Sequence, residues 1–363
     1  LEPIPWHDHG RFHDPAIDPS SRLDYHGGLA YPQDAASQVP VLLLDPQPGE
    51  TIVDACAAPG SKTTQIGLAL GHEGLVVACD ASVPRRAILA ETLARQGIAT
   101  AVVTPLPLER LAERAPGVAD GVLVDAPCSG HERRSAKQVL RQQGRQLGIL
   151  RTAARLVRPG GRLVYSTCTP YRGEDEDVIA AFLAEAPGWS VEATALPGCD
   201  GDLAGLGAVR LWPHRQGTEP FFAARLRAPG DDEASGAWIG RLPPAFATGL
   251  AAVDKLQVWR HGDLVLGASP AAAAAALPAD ARGIILGRIQ GERLAWEPWG
   301  AQACIERGAP AHVVSRAEAV QLWAGEAVAD VAGFLRCDSG LPLGWAQGGR
   351  LRMPARMTRS VVS

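Results

Sequence analysis

Thr51 to Gly71 reads TIVDACAAPGSKTTQIGLALG. A short β-rich apolar run enters a turn of small residues, and a helical stretch follows. The same change of texture recurs downstream. LVVAC, TAVVT, GVLVD and RLVYS are further apolar runs, with helical stretches such as PRRAILAETLARQG and RQLGILRTAARLV between them. Strands that alternate with helices at this spacing pair in parallel through right-handed crossovers. The expected fold is therefore α/β, a doubly wound, mostly parallel Rossmann-like sheet over residues 25–228. WSVEAT and PFFAARLR are candidates for two closing strands. Residues 1–24 are expected as an irregular lead-in, with a helix near QDAASQVPVLLL.

Composition sets wide limits around this reading. A chain of 363 residues is long for one core and points to two domains. Its 46% hydrophobic and 20% charged residues describe an ordinary globular protein. No apolar run reaches the roughly 18 residues of a membrane span. LEPIPWHDHGRF has no signal-peptide pattern. Seven cysteines, an odd number without a CxxC pair, argue against a disulfide framework and a zinc site. A reducing, cytoplasmic setting fits them. The net charge of −4 does not mark a nucleic-acid binder, but arginines crowd between Arg133 and Arg158. Arginine makes bidentate phosphate contacts and stacks on bases. The other reading is a solvated helix face.

APGDDEASGA, with 229–237 at its centre, reads as a linker. Beyond it the texture turns mostly β. LQVWRHGDLVLG, GIILGRIQGERLAWEPWG and PLGWAQGGRLRMP read as hairpins. SRAEAVQLWAGEA reads as a helix with Ser315 as N-cap and Glu318 three residues on. Residues 238–363 are expected as a smaller second domain.

The turn after the first strand suits a ligand that approaches backbone near a helix N-terminus. It lacks GxGxxG and is a poor echo of a P-loop, so neither NAD nor ATP is favoured. Asp80 ends the second strand. It is placed to accept both hydroxyls of a ribose, or to cap the next helix. An acid for ribose without a pyrophosphate loop suggests a nucleoside-like cofactor, and S-adenosylmethionine fits.

CAAPGSKTTQI, DAPCSG and LVRPGGRLVYSTCT follow one another in order, flanked by GLAYPQDAAS and RLWPHRQGTEPFFAARL. Together they resemble the RNA cytosine-5 methyltransferases of the Nop/Sun family, over about residues 25–228. Residues 238–363 more loosely resemble the PUA-like RNA-binding module of some bacterial rRNA-modifying members, through GLPLGWAQGGRLR. The resemblance implies S-adenosylmethionine held by Cys56, Ala57, Ala58, Pro59, Gly60, Ser61 and Lys62. Asp80 would take the ribose, Arg85 joins the cofactor set, and Asp125 would lie near cofactor and target base. Two departures stand out. No acid lies between Thr104 and Leu108, where the family has one near the adenine, and the stretch after DAPCSG is short.

Cys128 and Cys168 each follow an apolar run beside hydroxyl residues. Either thiol could add to carbon 6 of a cytosine and so make carbon 5 nucleophilic, while the other aids release. Chemistry alone leaves the order open. The family implies attack by Cys168 and release by Cys128, whereas DNA cytosine methyltransferases use the cysteine after proline. Asp125 is the candidate for holding a proton on ring nitrogen 3. Buried strand-end thiols are the bland alternative. His214 packs structurally or meets RNA. Lys62 reaches cofactor or Asp125, or is only a first-turn helix residue.

The expected protein is a monomeric, cytoplasmic RNA cytosine-5 methyltransferase acting on rRNA or tRNA at an unpaired or flipped base. Arg133, Arg134 and the second domain are its RNA-contact candidates. A catalytically idle RNA-binding assembly factor of the same fold is the other reading.

Overall fold

The computed structural model describes residues 2–231 except 20, 21, 72, 132 and 133, and then 257–261, 264–268, 284–290, 293–296, 311–323, 326–339, 342–347 and 350–351. In the central sheet β1 is Thr51–Asp54, β2 Leu75–Ala78, β3 Ala101–Val103, β4 Ala119–Asp125 and β5 Val157–Thr167. Four further strands follow: β6 Ser190–Glu192, β7 Asp200–Gly201, β8 Val209–Leu211 and β9 Phe221–Arg227. The helices between them are α1 Ser61–Ala69, α2 Val83–Arg95, α3 Leu108–Arg114, α4 Ala136–Ala154 and α5 Glu176–Glu185.

Strand order in this nine-stranded sheet is β3-β2-β1-β4-β5-β9-β8-β7, with β6 also on β9. β1 to β5 pair in parallel, and β9 closes against β5 antiparallel. The expected strands are therefore present, and PFFAARLR and WSVEAT pair as Arg225 with Glu192. β7 and β8 are too short for a period-2 pattern to reveal them.

Side chains alternate across the sheet, and both faces are covered. Val53, Val77, Val122, Val124 and Tyr165 face Leu111 of α3, Leu150 of α4 and Phe182 of α5. Ile52, Val76, Leu123 and Val164 face Ile66 of α1 and Leu89 of α2. This is why the strands read as unbroken apolar runs. Leu123 is fully buried, and its truncation to Ala is expected to cost about 2–5 kcal/mol.

Helices that cross to opposite faces leave a crevice beyond the carboxyl ends of β1 and β4. The entry to α1 is fixed by Gly60, whose φ of 118° is left-handed. A Cβ there would also meet Thr92 Cγ2 at 3.0 Å.

Residues 1–24 are not irregular throughout. Pro3–Ile4 and His7–Arg11 form a hairpin, Ile4 and Trp6 are buried, and the Trp6 indole donates to Ala35 O at 3.0 Å. QDAASQVPVLLL becomes a 3-10 turn, Ala35–Gln38, and the helix Val39–Leu44 with proline in its first turn.

The linker expected at 229–237 falls outside the described residues from 232 onward. Past it, all three expected hairpins are present: Gln257–His261 with Leu264–Ala268, Ile284–Gln290 with Arg293–Trp296, and Pro342–Gln347 with Arg350–Leu351. They belong to two four-stranded sheets. In the second sheet His312–Val314 runs parallel to Gly333–Cys337. Ser315 and Glu318 form the expected capping box, with bonds of 2.7 and 3.3 Å, at the start of the helix Arg316–Trp323. Val314, Leu322, Leu335 and Leu343 are buried in a small core of this region.

Candidate active site

A cavity of about 1000 Å³ opens at the crevice. One end is shaped by backbone. The turn after β1 is fixed by Ala55 N–H donating to Leu123 O at 2.9 Å and Ala57 N–H donating to Cys79 O at 2.8 Å. Asp80, 8% exposed, accepts from Ala58 N at 3.2 Å and Ser82 N at 2.8 Å. It is therefore not the N-cap of α2. That position is held by Ser82, and Asp80 braces two turns at once. Arg85 lies 3.5 Å from the Asp80 carboxylate and donates to Ala58 O.

Of the expected cofactor set, Cys56, Ala58, Lys62, Asp80, Arg85 and Asp125 line the cavity. Ala57, Pro59, Gly60 and Ser61 lie off its wall, where they shape the turn and the helix start. The wall after β3 is Leu106, Pro107, Leu108 and Glu109. An acid does stand there, one position past the window Thr104–Leu108, in the first turn of α3.

The other end is built from side chains. Cys128 and Cys168 bring their sulfurs within 3.2 Å. The Lys62 ammonium donates to Asp125 Oδ2 at 2.7 Å, and Ser166 Oγ donates to Asp125 Oδ1 at 2.9 Å. The Phe221 ring lies under the ammonium, 5.7 Å away. Burial alone would lower the Lys62 pKa, but Asp125 and Asp54 hold it above its ordinary value. Lys62 is thus more than a helix-start residue.

The two thiols separate in charge. The hydrogen bond from Cys128 lowers the Cys168 pKa, with help from Lys62 against burial and Asp125. The same bond, with burial, pushes Cys128 up. Of the two thiols, Cys168 is therefore the one whose ionisation the site favours. Cys56 and Cys79 are pushed up by burial and nearby carboxylates. Asp54, buried beneath the site, is raised to about 7 by desolvation, against the Thr63 hydroxyl that donates to it at 2.7 Å.

Sequence reasoning missed the residues that hold the two cysteine turns. Glu174 is fully buried, and its Oε2 accepts from Ser129 N at 3.0 Å and Gln146 Nε2 at 2.9 Å. The Cys168 side rests on a buried ion cluster. Thr167 Oγ1 donates to Asp175, and Arg210 pairs with Asp175 at 2.6 Å and Glu176 at 2.7 Å. Nothing local marks Glu174 or Arg210, because Glu174 lies 45 residues past Ser129 and Arg210 lies 35 past Asp175. At the mouth His131 Nδ1 lies 3.0 Å from Glu219 Oε2. Arg134 lines the cavity, and Arg133 lies outside the described residues. His214 is exposed, its ring 6.2 Å from Trp212, not packed in a core. Among the described residues no group of His, Cys, Asp and Glu could hold a metal ion, and no helix is long and apolar enough to cross a membrane.

This geometry has relatives. The chain is 36% identical over 247 residues to the ribosomal RNA small subunit methyltransferase F of Salmonella arizonae, covering 62% of this chain and 51% of that one. It thus spans about half the length of that relative. It is 35% identical over 252 residues to the tRNA (cytosine(49)-C(5))-methyltransferase of Pyrococcus abyssi, covering 63% and 80%. The solved structure of NSun6 from Pyrococcus horikoshii with SFG superposes at a TM-score of 0.56 with 30% identity, over 59% of this chain and 57% of that one. Residues 41–227 match the model of the 16S rRNA methyltransferase RsmB/F family, and the chain belongs to that family.

Proposed function

We propose that the protein methylates carbon 5 of a cytosine in RNA, with S-adenosylmethionine as donor and a covalent adduct to Cys168. The observation that carries this reading is the pair of sulfurs, Cys168 and Cys128 at 3.2 Å, in the cavity that holds the Lys62–Asp125 pair.

The cofactor end fits a nucleoside with a sulfonium tail. Asp80 offers a carboxylate where a ribose would sit, Cys56 and Ala58 offer small-residue turn backbone, and Leu106, Leu108 and Glu109 offer an apolar wall with one acceptor. Arg85 orders the rim through Asp80. S-adenosylmethionine, when bound, supplies the electrophilic methyl group.

The Cys168 thiolate adds to carbon 6 of the ring, and the displaced π electrons flow toward nitrogen 3 and enrich carbon 5. Nitrogen 3 takes up a proton from solvent, and the Asp125 carboxylate, positioned by Lys62 and Ser166, holds that proton in place as a hydrogen-bond acceptor. When the thiolate becomes a thioether, the charge that kept the proton on Cys128 is gone. The Cys128 thiol then gives its proton to solvent more readily, and as a thiolate it can accept the proton leaving carbon 5. The C5–H electron pair re-forms the C5=C6 bond, the Cys168 sulfur departs with the C–S pair, and nitrogen 3 returns its proton to solvent. This charge separation favours Cys168 for attack over Cys128.

The relatives' names divide between rRNA and tRNA, and the target falls to one of these. We read residues 25–228 as the catalytic domain of a cytoplasmic monomer, and the mostly β region 238–363 as a PUA-like RNA-binding domain. Stopping the chain near residue 232 should then leave donor binding and weaken RNA binding. Tritiated donor with small-subunit rRNA and tRNA transcripts tests the whole reading. Labelled 5-methylcytosine in the nuclease digest is the expected result. No label in either RNA, with the cofactor bound, would leave the idle assembly factor instead.

A further inference from the structure

A second cavity of about 340 Å³ lies beside Cys128 and Ser129, on the outer side of α4. Its other wall is Arg134, Arg141 and Arg145, with Gln138 and Gln142 between them. Positions 138, 141, 142 and 145 share one helix face. No carboxylate lines it. The glutamines are engaged: Gln142 donates to Pro127 O, and Gln138 closes the capping box with Ser135. Arg134 donates to Ser129 O at 3.4 Å. The exposed Arg141 and Arg145 make no ion pair with any described residue. Arg145 also lines the catalytic cavity, so the two spaces join at Cys128.

Arginines on one groove without an acid repel one another, and that arrangement is stable in use only when an anion arrives. From Arg133 to Arg158 the chain has no Asp or Glu, although the protein as a whole is acidic at −4. The space is too small for a helix of nucleic acid and suits a sugar and its phosphate.

We propose that this groove holds the phosphodiester backbone next to the target cytosine, with Arg141 and Arg145 on phosphate oxygens. The inference rests on the proposed RNA reading and extends it. Here the backbone on one side of the extruded base runs past Cys128 and along α4, and positions the base without reading sequence. A single strand is implied, because only an unpaired nucleotide can place its base at Cys168 and its neighbouring phosphate on α4.

The experiment uses the full chain and a fluorescent single-stranded transcript carrying the methylated site. Arg141→Ala should raise the RNA Kd about five- to tenfold. Arg141→Ala/Arg145→Ala should lower the slope of log Kd against log salt by about 1.4, or 0.7 per phosphate on a single strand. Arg141→Lys should keep the slope, because it keeps the charge. Donor binding by calorimetry checks the fold, and Arg141 touches only the side groove, so its single variant stays informative if the double one unfolds. Unchanged Kd and unchanged slope in Arg141→Ala, with the parent methylating RNA, overturn the groove alone. A parent that binds and methylates no RNA overturns the functional reading and the groove together.

Discussion

The turn after β4 and the turn after β5 look alike in sequence and differ in their surroundings. Each follows a parallel strand of the same sheet and each delivers a sulfur to the same cavity. Cys168 is exposed, with the Lys62 ammonium near its sulfur. Cys128 is half-buried, on a turn held by Gln146 at Pro127 O and by Glu174 at Ser129 N. Both turns are held by buried groups, but only the Cys168 thiol is lowered, by the Cys128 hydrogen bond and with help from Lys62. A cysteine's role here is set by groups outside its own motif.

The largest effect should separate the thiols outright. On the proposed mechanism Cys168→Ala removes the nucleophile, so methyl transfer should fall by at least about four decades, as when other covalent nucleophiles are deleted. No RNA adduct should form. Cys128→Ala should still attack and transfer once, then stall before release. A denaturing gel after incubation with RNA and donor should show a slow, nuclease-sensitive band for Cys128→Ala alone. A band for Cys168→Ala alone would reverse the comparison, and full activity in both would end it.

Next comes the charge that distinguishes the turns. Attack needs the thiolate, which is lost as pH falls through the thiol's pKa. The Cys128 hydrogen bond does most to keep that pKa low and Lys62 helps, while burial and Asp125 oppose them. In Lys62→Gln no ammonium offsets the carboxylate, so the Cys168 pKa should rise and the acid limb of the rate profile should move to higher pH. At neutral pH about one to two decades of rate should be lost, and raising the pH should recover part of them. Site-resolved alkylation of Cys168 against pH reads the same shift without catalysis. A profile that stays in place would mean Lys62 does not tune the thiol.

Much of this contrast was out of reach of the sequence. The alternation of apolar runs and helices exposed the sheet because a parallel sheet buried on both faces keeps the middle of its strands apolar. The motifs delivered Asp125, Cys128 and Cys168 because they sit at or just past strand ends, and Lys62 because it opens α1, places where a local pattern changes. Glu174, Gln146 and Arg210 had no such marker. They are polar residues buried in or beside helical and short β stretches, and only the fold brings them to the cysteine turns. Asp80 was readable as functional but not as a brace, since its partners Ala58 and Arg85 converge only when α2 packs beside the first turn.

A change at the cofactor end should leave the comparison intact. Asp80→Ala removes a carboxylate with two backbone partners on the cavity wall. A charged hydrogen bond of this kind is worth roughly 1.5–3 kcal/mol, or about one to two decades in donor affinity. Calorimetry should show that loss, while the alkylation profile of Cys168 stays unchanged. A shifted profile would show that the two ends of the cavity are coupled, and the contrast between the cysteine turns would then lose its local explanation.

The smallest effect should come from Glu174, which touches neither sulfur. Its buried carboxylate fixes the Ser129 amide beside Cys128 and bonds Gln146 on α4. Glu174→Ala leaves the Ser129 N–H without that acceptor, a cost of about 1–3 kcal/mol in stability if the group stays buried. Melting temperature should fall accordingly. In catalysis the Cys128 turn should lose its set position, so release should slow by less than about tenfold and the RNA adduct should persist longer. The KM for RNA should hold, because the arginine groove and the cavity mouth keep their side chains. Glu174→Gln keeps one oxygen for Ser129 and should restore most of the release rate. Cys168 alkylation should move only slightly to higher pH in Glu174→Ala, because the Cys128 hydrogen bond loosens while Lys62 and Asp125 are untouched. If Glu174→Ala instead moved the Cys168 profile as far as Lys62→Gln does, the placing of the turn after β4 would weigh as much on Cys168 as its ammonium neighbour does. The contrast between the two turns would then fail.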